Sequence, residues 1–218
     1  MRAVSSFAML EKLGRVRLSR HFHMREFLYS EIANFHGIPN FPEDPEMAIA
    51  AGTRLCTDLL DPLVDTFGPI TLRGSYRNAA VNGFGNAKGM NCAMNASAAA
   101  HHRWDARDGA GHAGAMACVS VPWFAAQYEA GRDWRDLAWW IHDHLPPCAL
   151  WFFPKRAAFN IGWHAAGART ISSYIAPKGK LLAAGAVPGE TAGERQARHA
   201  DFPPFRGIAW PELPERWR

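Results

Sequence analysis

The stretch Cys56-Thr57-Asp58-Leu59-Leu60-Asp61-Pro62-Leu63-Val64-Asp65-Thr66-Phe67-Gly68-Pro69-Ile70-Thr71-Leu72-Arg73 decides the fold class. Cys56, Leu59, Leu60, Leu63, Val64 and Phe67 recur at the spacing of one helical face, so a single apolar stripe is predicted. Pro62 lies inside it and is expected to kink the helix, because proline lacks the backbone donor and crowds the preceding turn. Gly68-Pro69 stops the helix, and residues 70–73 alternate as a strand. Upstream, Ser30 reads as an N-cap and Gly37 as the stop of a short helix. Downstream, residues 134–145 carry a second stripe (Trp134, Leu137, Ile141, Leu145) behind the capping Asp133. Strands are predicted at 115–121, 149–153, 158–164 and 170–175. Residues 83–100, rich in Gly, Ala, Asn and Ser, read as a long loop. Helices ahead of one strand and then a run of strands predict an α+β fold, a small antiparallel sheet with helices packed on one side. Residues 1–21 read as an N-terminal extension, 22–185 as the domain, and 186–218 as a Pro/Gly-rich tail that wraps the domain or stays mobile.

The 218 residues, 48% of them hydrophobic and 20% charged, suffice for one sizeable core and exclude bulk disorder. The nine Trp are read chiefly as packing. A net charge of +4 biases weakly toward an anionic substrate, while the lack of a Lys/Arg run interleaved with aromatics makes nucleic acid an improbable partner. The four Cys form no metal-ribbon spacing. With no apolar signal core and no membrane-length segment read, the expectation is a cytoplasmic protein, or a phage protein released on lysis.

Three segments then resemble one family. Arg25-Glu26-Phe27 with Ser30 and Ala33, followed by Gly37-Ile38-Pro39-Asn40 and Pro42, is similar to the opening of the zinc D-alanyl-D-alanine carboxypeptidases, which share their fold with phage endolysins and the Hedgehog signalling domain. Leu60-Asp61-Pro62-Leu63 and Gly68-Pro69-Ile70-Thr71 resemble that family's long helix and first strand, and Gly74-Ser75-Tyr76-Arg77 with Val81-Asn82 resembles its Ser-Gly-Tyr-Arg segment with the first two residues exchanged. The resemblance implies a zinc ion as cofactor and a short peptide or peptidoglycan fragment as substrate. It places Arg77 in the site as a catalytic guanidinium, with Ser75 and Tyr76 binding substrate and shaping the turn that aims it.

The family binds zinc through a His and an Asp seven residues apart and a later Trp-His. His101 and Asp108 have that separation, His102 and Asp105 are the alternative pair, and Trp163-His164 matches the last ligand. The expected metal set is therefore His102, Asp105 or Asp108, and His164, with Cys118 a further alternative for the second ligand. On the residues alone, His101-His102 also reads as solvated surface and both Asp as turn caps. One position departs from the family: Ile161 stands where it places the Glu that accepts a proton from the attacking water. His142-Asp143-His144, at a helix C-terminus, is the nearest replacement base. Two functions follow: a zinc-dependent peptidase or amidase, or a catalytically inactive relative that serves as a binding or phage structural module.

Overall fold

The computed structural model describes residues 4–212. Their helices are α1 (Phe7–Gly14), α2 (Met24–Phe27), α3 (Glu31–His36), α4 (Pro45–Leu55), α5 (Asp61–Phe67), α6 (Ala79–Ala87), α7 (Asn95–Ala98), α8 (Pro122–Glu129), α9 (Trp134–His144) and α10 (Ala192–Arg198). The strands are β1 (Thr71–Gly74), β2 (Gly114–Ser120), β3 (Ala149–Phe152), β4 (Phe159–His164), β5 (Thr170–Ser173) and β6 (Gly179–Leu182). The fold is α+β. One six-stranded sheet runs in the order β1-β2-β4-β3-β5-β6, and it is mixed rather than antiparallel, because β3 and β5 pair in parallel.

The helix read from 56–67 is longer than its stripe. Residues 45–67 are helical throughout, but Cys56–Leu60 is wound as a π turn. The wider turn puts Pro62 near the first position of α5, where its missing N–H breaks no bond, so the proline is absorbed without a break. Cys56, Leu59, Leu60 and Leu63 are fully buried, each burial stabilising by roughly 1.5–3 kcal/mol for the large side chains. α4 packs on β2 and β4. Trp134 at the start of α9 packs on Phe152 of β3, with ring centroids 5.0 Å apart. The helices thus dry one face of the sheet, where Ala115, Ala117, Val119, Phe159, Ile161, Leu150, Phe152 and Ile171 are all buried.

Sequence reading missed several elements. The segment 83–100 holds the end of α6 and all of α7, whose small residues hide any stripe. β6 is short, lies at the sheet edge and is exposed over half its length, with Leu182 alone fully buried, so it carries little burial signal. Leu13 and Leu18, in the stretch read as an extension, belong to the main core. The C-terminal segment wraps the helical layer. Phe202 packs against Phe67, Trp123 and Phe124. The Ile208 N–H donates to the Asp65 carbonyl.

Arg132 ties that strap down. Its two Nη groups donate to the two Asp201 oxygens at 2.7 Å each, Nε donates to Asp136 at 3.0 Å, and the guanidinium lies 4.6 Å from the Phe202 ring centre. Arg132 is largely covered while Asp201 is exposed, so the bidentate geometry, the bond to the covered Asp136 and the contact with Phe202 act together. Arg132→Ala is expected to lower unfolding free energy by roughly 2 kcal/mol and to make the chain beyond residue 189 the first point of limited proteolysis. An unchanged denaturant midpoint and cleavage map would show that the strap is held elsewhere.

Candidate metal centre

Alternation along β4 sorts its side chains. Phe159 and Ile161 enter the core, while Asn160 and His164 lie on the other face, which no helix of the 45–67 layer covers. A row of partnered positions crosses that open face: Gly74, Cys118, Asn160, Trp151, Ser172 and Lys180, one from each strand. All six line a cavity of about 640 Å³. His164 lies four residues beyond Asn160 on the same face, about 13 Å away at the rise of a strand.

The loop from 99 to 113 brings further residues to His164. It fits because Gly114, opposite His164, has no side chain: a Cβ there would stand 2.1 Å from the Ala100 carbonyl oxygen. Ala100 itself is left-handed (φ 57°), which costs a non-glycine residue about 1 kcal/mol. His101 then docks its carbonyl on the Met116 N–H at 3.0 Å, and the Trp104 indole donates to the Met116 carbonyl at 3.1 Å. Further along, the Asp108 carboxylate accepts from the backbone N–H groups of Ala110 (2.9 Å) and His112 (2.8 Å), folding 108–112 into a tight turn. These bonds, the one from the His112 N–H first, hold the Asp108 carboxyl below the usual carboxylate range.

The result is a cluster of three. Asp108, His112 and His164 are half-buried, and one ligating atom from each lies within 4.8 Å of the others. Asp108 Oδ2 is 3.0 Å from His164 Nε2 and 3.6 Å from His112 Nδ1. Atoms bound to one tetrahedral zinc at ~2.0–2.1 Å stand ~3.3 Å apart, so the spacing fits a metal, and two imidazoles with one carboxylate leave a fourth position open. His164 Nδ1 accepts the exposed Ala166 N–H at 3.2 Å, which places a proton on Nε2 facing Asp108; a metal at Nε2 would move that proton to Nδ1 and release the Ala166 N–H to water. The His101 ring centre is 6.1 Å from that of His164, and His101 also lines the cavity.

The expected ligands separate. Asp108 and His164 meet. His102 lines the cavity but stands outside the cluster, with Nδ1 2.8 Å from the Ser75 carbonyl; burial and the neighbouring Arg77 push its pKa down to about 3. Asp105 accepts from the Tyr76 hydroxyl at 2.8 Å and the Glu43 N–H at 2.9 Å, so it braces the loop. His112 was missed, although an Asp four residues before a His across a Gly-rich turn is the signal that would have found it. Cys118 lies in the cavity row, where burial pushes its thiol up to about 11; it stays protonated at neutral pH and stands outside the cluster. Ser75 and Tyr76 are buried, with the Ser75 hydroxyl on the Phe27 carbonyl at 2.8 Å. Their side chains hold the turn, and both residues line a neighbouring cavity with Arg73 and Arg77. Arg77 does reach the cavity.

Ile161 is fully buried between Ala117 and Leu150, on the face opposite His164. A Glu there would bury a carboxylate in the core, not aim one at the cluster. His142 and Asp143 join α9 to the strap: Asp143 accepts from Arg195 at 3.0 Å and lies 2.7 Å from His142 Nδ1. They belong to the helical layer. No family model, curated protein or solved structure matches the chain.

His102 makes a pH signature. The folded protein keeps it neutral down to about pH 3, while in the unfolded chain it titrates near ~6.5. Between those values the unfolded state binds the extra proton, so its contribution to stability is complete above ~6.5 and is lost as pH falls, by at most ~1.4 kcal/mol per pH unit. His102→Gln, which can still donate to Ser75, is expected to flatten the decline of stability between pH 6 and 4 by up to one proton. An unchanged slope would show that His102 is not held neutral.

Proposed function

We propose that the chain is a metal-dependent hydrolase of amide bonds in short peptides, with zinc held by Asp108, His112 and His164. The observation that carries this reading is the three-residue cluster at metal-ligand spacing, on the open face of the sheet, beside a cavity wide enough for a peptide. The resemblance over residues 22–82 supports the same chemistry and suggests cell-wall peptides ending in D-amino acids. A divalent ion at the cluster would supply Lewis acidity, polarising the scissile carbonyl and acidifying the attacking water.

The chain's own residues supply the rest. Asp108 and the two imidazoles fix the ligand geometry, and the 108–112 turn pre-organises two of the three. His101, between cluster and cavity, is the base nearest the reacting position now that Ile161 is excluded, and an imidazole suits proton transfer near neutral pH. Arg77 lies on the cavity wall, where a guanidinium holds substrate in place. The second reading, a binding module without turnover, draws on one observation: among the described residues, no carboxylate lines the cavity.

Calorimetric titration of chelator-stripped protein with zinc is expected to give one site. Asp108→Asn, His112→Ala and His164→Ala should each weaken it at least ~10-fold, and His102→Gln should leave it nearly unchanged. The zinc-loaded protein should release D-alanine from a D-alanyl-D-alanine peptide. Absence of zinc binding would remove the hydrolase reading; zinc binding without turnover on any peptide would favour the module.

A further inference from the structure

The acidic residues of the chain avoid the sheet. None of the six strands contains an Asp or a Glu. Strands β4, β3, β5 and β6 are neighbours in the sheet, and all four come from residues 144–189. That stretch holds five basic residues (Lys155, Arg156, Arg169, Lys178, Lys180) and no acidic one. The rest of the chain holds nineteen basic against twenty acidic residues, so the net charge of +4 resides in this half of the sheet and its turns. Arg169 is engaged with the carbonyls of His142 and Leu145. The other four are exposed, and among the described residues none of them forms an ion pair. Three aromatic rings stand together in the same half. The Tyr174 ring centre is 5.4 Å from that of Trp151 and 5.7 Å from that of Phe153. Trp151 is 43% exposed and Tyr174 52%, although most large rings of this chain are buried. Asn160, Thr170 and Ser172 line the cavity beside Trp151 and Phe153, and among the described residues their side chains make no hydrogen bond.

We propose that this face of the sheet binds single-stranded nucleic acid, with bases stacking on Trp151 and Tyr174 and phosphates drawn to Arg73, Lys178 and Lys180. Stacking on aromatic rings and attraction to a basic surface are the two contributions that such binding combines. A duplex keeps its base faces covered, so exposed rings select single strands. A membrane surface also accepts rings beside lysines, but it would strip water from Asn160, Thr170 and Ser172 and return no partner, whereas base edges offer them donors and acceptors. The row from Gly74 to Lys180 crosses five strand spacings of ~4.8 Å, about 24 Å in all, which is room for several nucleotides. Arg73 and Lys180, both exposed, stand at its two ends, on β1 and β6. The sequence shows no Lys/Arg run interleaved with aromatics because the fold assembles rings and cations from separate strands and turns. Phe153 and Tyr174 follow the ends of β3 and β5 that lie away from His164, and none of these residues belongs to the metal cluster, so the surface is independent of the hydrolase reading.

The test is fluorescence anisotropy on the full chain in excess chelator, so that metal chemistry plays no part. The probes are a labelled oligothymidylate of ~15 nucleotides, a duplex of the same length, inorganic polyphosphate as a base-free polyanion, and vesicles containing phosphatidylserine. The single strand is expected to bind, with affinity falling as salt rises, and the duplex and polyphosphate at least ~10-fold more weakly. Trp151→Ala and Tyr174→Ala should each weaken binding ~10-fold and leave its salt dependence unchanged. Lys180→Met, at an exposed edge where folding is not at stake, should weaken binding a few-fold and lower the slope of log affinity against log salt by ~0.7. If either ring also serves the fold, shown by an early melting transition, the Lys180→Met slope still decides. Equal binding of single strand and duplex or polyphosphate, tighter binding to the vesicles, unimpaired binding by both ring variants, an unchanged slope in Lys180→Met, or no binding of the single strand would each overturn the proposal.

Discussion

A strand can bury only every second side chain, and in β4 that constraint organises everything around it. Phe159 and Ile161 fill the core under the 45–67 helix, which forces Asn160 and His164 to the other face. With the helical layer on one side, the sheet keeps an open side for chemistry. The same parity runs across all six strands, so one row of residues from Gly74 to Lys180 becomes a floor. Shifting β4 by one residue would bury His164 and Asn160 and expose the core set, so register and site are specified together.

The loop from 99 to 113 converts that floor into a site. Its close approach requires the bare backbone of Gly114 and the left-handed Ala100, and it is anchored by buried Trp104. Asp108 and His112 then reach His164 from a turn whose carboxylate is already bonded to two backbone donors. Rigid support of this kind is what a metal ligand set would need, and the three residues could hold an ion. The floor at Asn160 and the cluster at His164 are about 13 Å apart, the span of roughly four extended residues. Arg77, half-buried on the cavity wall with its Nε donating to Asn82 Oδ1, forms no ion pair among the described residues, a cost of the kind that functional sites carry.

Much of the scaffold was legible from periodicity. The stripe from Cys56 to Phe67, the Ser30 and Asp133 caps and five of the six strands follow from apolar spacing and turn residues, because burial on one face writes a period into the chain. The mixed sheet was not legible, since strand direction is set by the path of connections and not by side chains. Edge strand β6 and helix α7 have too little buried surface to leave a pattern. At the site, Asp108 and His164 follow from the family resemblance and not from periodicity, and the place of His102 outside the cluster was not legible. It turns on which imidazole the Ser75 carbonyl captures, a contact between positions 27 residues apart. His112 needed the turn at 108–112 to be known, and Ile161 could be read as a missing base only until its face of the strand was seen.

The most direct test of the account is where a metal sits. Diffraction from crystals grown with zinc, measured on both sides of the zinc absorption edge, should show one anomalous peak within ~2.0–2.2 Å of Asp108 Oδ2, His112 Nδ1 and His164 Nε2. A peak held instead by His102 or Asp105, or no peak on the open face of the sheet, would contradict it.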